Sequence, residues 1–306
     1  MARKLEKRSA RILAIILAFI MLGSVFAYVS GGGTREKRET KVNFAMLEAI
    51  GYLPENSIVY YYNLTELNAL AKKLGKNDAL VKHVENLAVQ ELSYAYGSYL
   101  DRRIVEFTHN IEELIIARYG DFDVYFVNEN ASKVYFAKQT EQKIGNITVK
   151  FHGGVAIAEE VHPLVIGYAP LVLSVAEKIE QGKASDYSVY LSHMKKDFVV
   201  ALVIFGNATG SYVRFTQNES PVDFFFQGFR FNESSGNYEK VLGMHFTENY
   251  FFYGLNETEK DFEYYYFENF EDRFSVAVMG DKNFTKVLEA RPNVMGIIIK
   301  EVETLE

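Results

Sequence analysis

Nineteen consecutive residues, Ile12 to Ser30, carry no charged side chain in a chain whose residues are 24% charged. A helix needs about 20 apolar residues to cross a bilayer, so this stretch is just long enough to span one and ill suited to a half-exposed element of a globular fold. Arg3, Lys4, Lys7, Arg8 and Arg11 precede it, whereas Arg35, Lys37, Arg38 and Lys41 beyond it are offset by Glu36 and Glu39. The asymmetry of Lys and Arg predicts a cytoplasmic N-terminus. A cleaved signal peptide is the rival reading, because Ile12 to Leu22 has the length of a signal core and Val25-Phe26-Ala27 suits a signal peptidase. The expected organisation is a basic tail at 1–11, an anchor or signal at 12–30 and a linker at 31–41. Either reading sends residues 42–306 to the far side of the membrane.

Sequons support the same topology. Asn63, Asn130, Asn146, Asn207, Asn218, Asn232, Asn256 and Asn283 each begin Asn-x-Ser/Thr with no proline between. With 19 Asn and 28 Ser or Thr in 306 residues, chance supplies about two such triplets. The eight asparagines are therefore candidate glycosylation sites. The competing reading is local: Asn before Ser or Thr is also turn and cap chemistry, and Asn283 stands at an expected helix start.

Beyond Lys41 the chain carries 24 basic and 37 acidic side chains. That surface argues against nucleic acid as a partner, since phosphate contacts need a basic footprint. There is no cysteine, hence no disulfide framework, thiolate metal site or thiol nucleophile. The fold must rest on packing, to which 24 Phe and 21 Tyr contribute. Sequons without cysteines suit an archaeal cell surface.

The pattern predicts an α+β fold built on antiparallel sheet. Ser57 to Tyr62 is β-branched and aromatic, and Asn63 or Thr65 can cap a helix ending before Gly75. Asp78 to Tyr94 follows the 3.6-residue period. Val42 to Ile50 and Ile104 to Arg118 are also expected as helices, and Asn128 to Ser132 as a hairpin turn joining Asp123 to Val127 and Lys133 to Lys138. Short strands continue through Leu164 to Tyr168, and Pro170 opens a helix to about Glu180. From Asp197 the chain reads as strands, except for a helix over Phe284 to Ala290, and Val294 to Val302 closes it as a strand. Leu164-Val165-Ile166-Gly167 before one helix echoes Val276 to Gly280 before another. Two modules, 42–195 and 196–306, are one reading of the echo; a single continuous sheet is the other.

Leu53-Pro54-Glu55-Asn56-Ser57-Ile58-Val59-Tyr60, followed by Asn63-Leu64-Thr65 and a helix, resembles the opening of an uncharacterised prokaryotic family of membrane-anchored exported proteins. Leu164 to Gly167, a helix to Ile179, a loop to Asp186 and a strand at Phe198 are similar to that family's repeat junction. The resemblance spans roughly half the chain and implies an anchored, exported α+β repeat protein. It carries over no catalytic, cofactor-binding or metal-binding residue.

No constellation of catalytic chemistry stands out. His83, His109, His152, His162, His193 and His245 show no metal-ligand spacing. His152-Gly153-Gly154 resembles an oxyanion-hole turn, but no Gly-x-Ser-x-Gly elbow accompanies it, and a hairpin accounts for the glycines. Asp121-Phe122-Asp123 reads as a turn acid and a strand-start acid. The runs Phe224-Phe225-Phe226, Tyr250 to Tyr253 and Tyr264 to Phe267 place rings on both faces of a sheet. Either both faces are covered, or one lines a groove for lipid, glycan or a partner chain. The sequence thus points to a cell-surface interaction or structural protein without cofactor, whose partner is another protein or an envelope component. A ligand-binding accessory subunit is the alternative.

Overall fold

This computed structural model describes residues 42–194, 197–213, 220–254 and 261–296, all within the compact unit Glu39–Glu306. The expected anchor, its basic tail and the linker lie outside the described residues, as do Asn218, Asn256 and the end of the expected last strand. Among the described residues, no helix is long and apolar enough to cross a membrane.

The fold is α+β, and most of it is antiparallel sheet. Twelve strands share one sheet: β1 (Ile58–Asn63), β2 (Glu113–Tyr119), β3 (Phe122–Val127), β4 (Thr140–Ile144), β5 (Ile147–His152), β6 (Val155–Ala158) and β7 (Leu164–Tyr168). They are joined by β8 (Val200–Phe205), β9 (Val222–Asn232), β10 (Asn237–Phe246), β11 (Tyr264–Asn269) and β12 (Phe274–Asp281). Their spatial order is β11-β12-β10-β9-β8-β1-β2-β3-β7-β6-β5-β4. Strands β1 and β8 meet at the centre with Tyr60 opposite Leu202, so residues before and after 195 share one sheet. Read outward from that seam, each side runs first, second, third, last and next-to-last strand in chain order.

Helices cover both faces. On the first face lie α1 (Met46–Ala49), α4 (Ala169–Glu180) and α5 (Ser188–Ser192). They pack on Val59, Ile115, Phe126, Val165, Val203 and Phe226. On the second face lie α2 (Leu64–Leu74), α3 (Ala79–Gly97) and α6 (Phe284–Glu289), over Tyr62, Ile116, Tyr125, Ile166 and Phe229. A two-stranded sheet, Tyr250–Tyr253 with Asn293–Gly296, covers Met244, Ala277 and Met279 on that same face. The helices after β7 and β12, α4 and α6, therefore sit on opposite faces, although the two strands hold corresponding places in the strand order.

The helix starts are written in the sequence. Asn63 accepts from the Glu66 amide at 2.8 Å and starts α2, and Asp78 accepts from Leu80 and Val81 to start α3. Pro170 occupies the first turn of α4. Three expectations are corrected. Ile104 to Arg118 is not helical: it holds a short strand at Val105–Phe107 and all but the last residue of β2. Leu114, Ile115, Ile116 and Ala117 are all at or below 1% exposure, because a central strand buried on both sides needs an unbroken apolar run, not an alternating one. Asn128 to Ser132 does not turn a hairpin. Chain from Asn130 enters a 3-10 turn, and Val134–Phe136 pairs with Val105–Phe107, while β3 pairs with β2 and β7. Val42 to Ile50 is helical only from Met46, since Val42–Asn43 pairs in parallel with Val161–His162.

Candidate functional site

The aromatic runs are mostly covered. Phe224 is fully buried on the first face beneath Tyr187 and Tyr190, Phe226 is buried on that face against Phe198, and Phe225 is buried on the second. An uncovered concavity with apolar walls lies on the second face, beside the end of α6 and the segment that follows it. Gln227 and Leu242, directly opposed on β9 and β10, belong to its floor, and Leu202 and Tyr60 continue the same row across β8 and β1. Tyr60, Leu202 and Gln227 remain half-buried while Leu242 is buried.

The concavity opens into a cavity of about 480 Å³. Val213, Phe225, Leu242, Met244, Leu288 and Val294 form apolar walls, and Gln227, Lys240, Glu289, Arg291 and Tyr212 supply the polar groups. This volume lies within the range of small-molecule sites, which are mainly apolar with a few placed polar groups. Lys240 is the singular residue. It projects from β10, is only 5% exposed, and donates to the carbonyls of Leu288 and Ala290 at 2.9 Å each. Those are orphan carbonyls at the end of α6, which cations satisfy. The ammonium also lies over the Phe229 ring. Burial, reinforced by the positive charge of Arg291, pushes its pKa down to about 8. Among the described residues it forms no salt bridge.

This shift has a measurable sign. The unfolded chain holds the Lys240 proton up to about 10.5, the folded chain only to about 8. Between these values the unfolded state binds more protons, so stability climbs with pH. Below pH 8 both states are charged and the slope vanishes. We expect wild type to gain on the order of 3 kcal/mol relative to Lys240→Met across that window. Urea unfolding of the two proteins at pH 7.5 and 10 measures it, and parallel curves would refute the assignment. Ionisation of tyrosines in the unfolded state above about pH 10 works in the opposite direction in both proteins, so the difference isolates the lysine.

At the other end of the row, Arg118 donates to Glu91 at 2.9 Å and to Asp123 at 3.3 Å. Its guanidinium lies over the rings of Tyr60 and Tyr94. Burial works against its charge, but the two carboxylates outweigh burial and hold its pKa above the usual value. Tyr60 is pushed up to about 12, first by burial and then by neighbouring Tyr212. Tyr94 and Tyr212 are 50% and 51% exposed, so this end presents an aromatic ledge. Asp123, the second acid of Asp121-Phe122-Asp123, is committed to Arg118 and Tyr125.

Two further concavities lie elsewhere on the domain. One of about 550 Å³ is polar, lined by Asn63, Asp197, Arg230, Asn232 and neighbours. The other, about 390 Å³, lies between Phe44, Tyr52 and Ser188. His245 pairs with Asp223 at 2.5 Å and stacks on Tyr190, but it lines none of the three. His152 closes the turn from β5 to β6 and bonds the Ala137 carbonyl. Among the described residues no group of three His, Asp or Glu is placed to hold a metal ion.

Six of the eight sequon asparagines are described. Asn130, Asn146, Asn207 and Asn283 are exposed, and Asn63 and Asn232 are half-buried. At Asn130, Asn232 and Asn283, Oδ1 accepts from the amide of the Ser or Thr two residues on. These triplets are turns in their own right, which accounts for part of their excess. The Nδ2 atom, where a sugar would attach, is not used in closing such a turn. Asn232 differs because its Nδ2 also donates to Glu239 at 2.6 Å.

The fold and cavity define a mostly antiparallel α+β domain with an open apolar site floored by a buried lysine. The AF_2048_N family N-terminal domain matches residues 44–180. An uncharacterized protein of Archaeoglobus fulgidus (strain ATCC 49558) is 44% identical over 303 residues, covering 96% of each chain. The chain belongs to this uncharacterised family, in line with the resemblance drawn from its Leu-Pro turn and capped helix. Among solved structures, crystal forms III and IV of TP0453 match with TM-scores of 0.36 and 0.37 at 9% identity. They cover 80% and 78% of this chain and 98% and 96% of their own; likeness at that level carries no argument.

Proposed function

We propose that the chain is a single-pass, N-in, N-glycosylated extracytoplasmic protein whose folded domain is a ligand-binding module at the cell surface. The observation that carries the binding role is the 480 Å³ cavity with its apolar walls and single buried ammonium. A structural or partner-binding surface role is the second reading, favoured by the exposed rings of Tyr212 at the cavity and of Tyr94 against Arg118. Residues 12–30 supply the anchor, and the repeated strand order supports a duplicated architecture. The opposite faces taken by α4 and α6 are then a divergence between the copies.

Purification from native membranes followed by mass spectrometry tests both parts. Native spectra should show a bound small molecule; a co-purifying protein with an empty cavity would favour the second reading. Peptide mapping should find sugar on Asn130, Asn207 and Asn283 and none on Asn232, whose Nδ2 is engaged. An intact peptide spanning 12–30 is expected. A chain bare at every sequon and recovered from the cytosol would end the topology proposal.

A further inference from the structure

We propose that the cavity on the second face takes an apolar monocarboxylate, its head bound by Lys240 and its body by the walls around Phe225, Leu242 and Met244. The inference rests on the ligand-binding reading and names the class of ligand.

An ammonium has three N–H donors, and two are spent on the Leu288 and Ala290 carbonyls. Lys240 also lines the cavity, which leaves one donor for what enters it. Neutral carbonyls satisfy hydrogen bonds but do not cancel charge. Buried charges are normally paired, and among the described residues no carboxylate pairs with Lys240. Glu289 and Arg291, the other formal charges at the cavity, are both exposed. They offset each other, so Lys240 leaves a local excess of one positive charge. A ligand with one negative charge neutralises it, and a charged donor meeting a carboxylate gives one of the stronger hydrogen bonds. A phosphate monoester would bring a second charge and more acceptor oxygens than one remaining N–H can serve. A sugar would leave the aliphatic walls facing hydroxyls.

Size agrees. A cavity of about 150 Å³ holds one benzene, so 480 Å³ takes a body of a few such rings or a medium alkyl chain. Gln227, Tyr212 and the Lys240 amine itself are the remaining polar neighbours. Because Lys240 loses its proton on the alkaline side of neutrality, carboxylate affinity should fall as pH rises, with Glu289, Arg291 and Tyr212 the other titrating groups that line the cavity.

The test is calorimetric titration of the full chain in lipid nanodiscs, with empty discs as blank and octanoate, octanamide and octylamine as probes. At pH 7 octanoate should bind roughly tenfold or more tighter than octanamide, with octylamine weakest. Raising the pH to 9 should cost octanoate about tenfold and octanamide little. Lys240→Met should lose the preference for octanoate while keeping octanamide, and Lys240→Arg should retain it in part; near-ultraviolet dichroism of the tyrosines checks that each variant is folded. Equal affinities of octanoate and octanamide for wild type overturn the lysine-head assignment while the cavity reading stands. If none of the three binds, both fall.

Discussion

Replacing Arg230 with Met is expected to destabilise the domain by about 3–5 kcal/mol, because it strands a buried carboxylate. Arg230 projects from β9 onto the first face with its side chain 8% exposed, and Glu239 opposite it on β10 is 3% exposed. Burial opposes both charges. For Arg230, Glu239 and then Asp197 more than offset it and hold the pKa above its usual value. For Glu239, hydrogen bonds from Tyr264, Asn232 and Arg230 hold the pKa below the usual carboxylate value. Both partners are therefore committed to their charged forms. Asp197 is 68% exposed at 2.6 Å, so its share is small and screened. Against a total stability of about 5–15 kcal/mol, losing the cation is severe. Glu239→Gln added to Arg230→Met should recover much of the loss, since a neutral amide keeps partners in Tyr264 and Asn232 without an unpaired charge. Urea denaturation of wild type, both single variants and the double variant forms the cycle. A single-variant cost below about 1 kcal/mol, or no recovery in the double, would show that this pair contributes little.

That network also marks where the sequence stops being legible. Arg230 and Glu239 are nine residues apart, but neither strand declares that its charge faces inward. The facing is set by the register of β9 on β10 and by Tyr264 arriving from β11. Lys240 is hidden for the same reason: its partners are carbonyls of a helix end 48 and 50 residues later. The only local hint was a lysine inside an apolar strand, Val241-Leu242-Gly243-Met244. By contrast, caps and helix starts at Asn63, Asp78, Pro170 and Asn283 are readable because they concern residues within one turn of each other. The strand content after Asp197 is readable from β-branched and aromatic runs. Ile104 to Arg118 fails because a short apolar run looks alike in a helix and in a doubly buried strand, and only β1 and β3 on either side decide it. The aromatic runs raised the right question, covered or groove. The answer depends on where α6 and the segment after it leave the sheet open, which is a matter of packing at long range.

Gly167 carries the last expectation, a loss of roughly 3–5 kcal/mol on substitution by Ala. It is the fourth residue of β7, which lies between β3 and β6, with Val124 directly opposite on one side and Ala156 on the other. Its φ is +153°, a conformation that side-chain-bearing residues rarely adopt. A Cβ there would stand 2.5 Å from the Asp123 carbonyl oxygen and 2.8 Å from the Val124 Cα. Both are backbone atoms of a central strand, so neither can swing aside as a flexible side chain would, and relief requires moving β3 or β7 bodily. Such a shift would also disturb Asp123, which Arg118 and Tyr125 share. Gly153 serves as the control, because its φ is +56° and a Cβ meets nothing within 4 Å. Gly153→Ala should therefore cost only the left-handed backbone penalty, about 1–2 kcal/mol. Thermal or urea unfolding of the two variants separates backbone preference from collision. Equal losses would mean that β3 yields to a methyl group, and that the glycine before α4 reflects conformation alone.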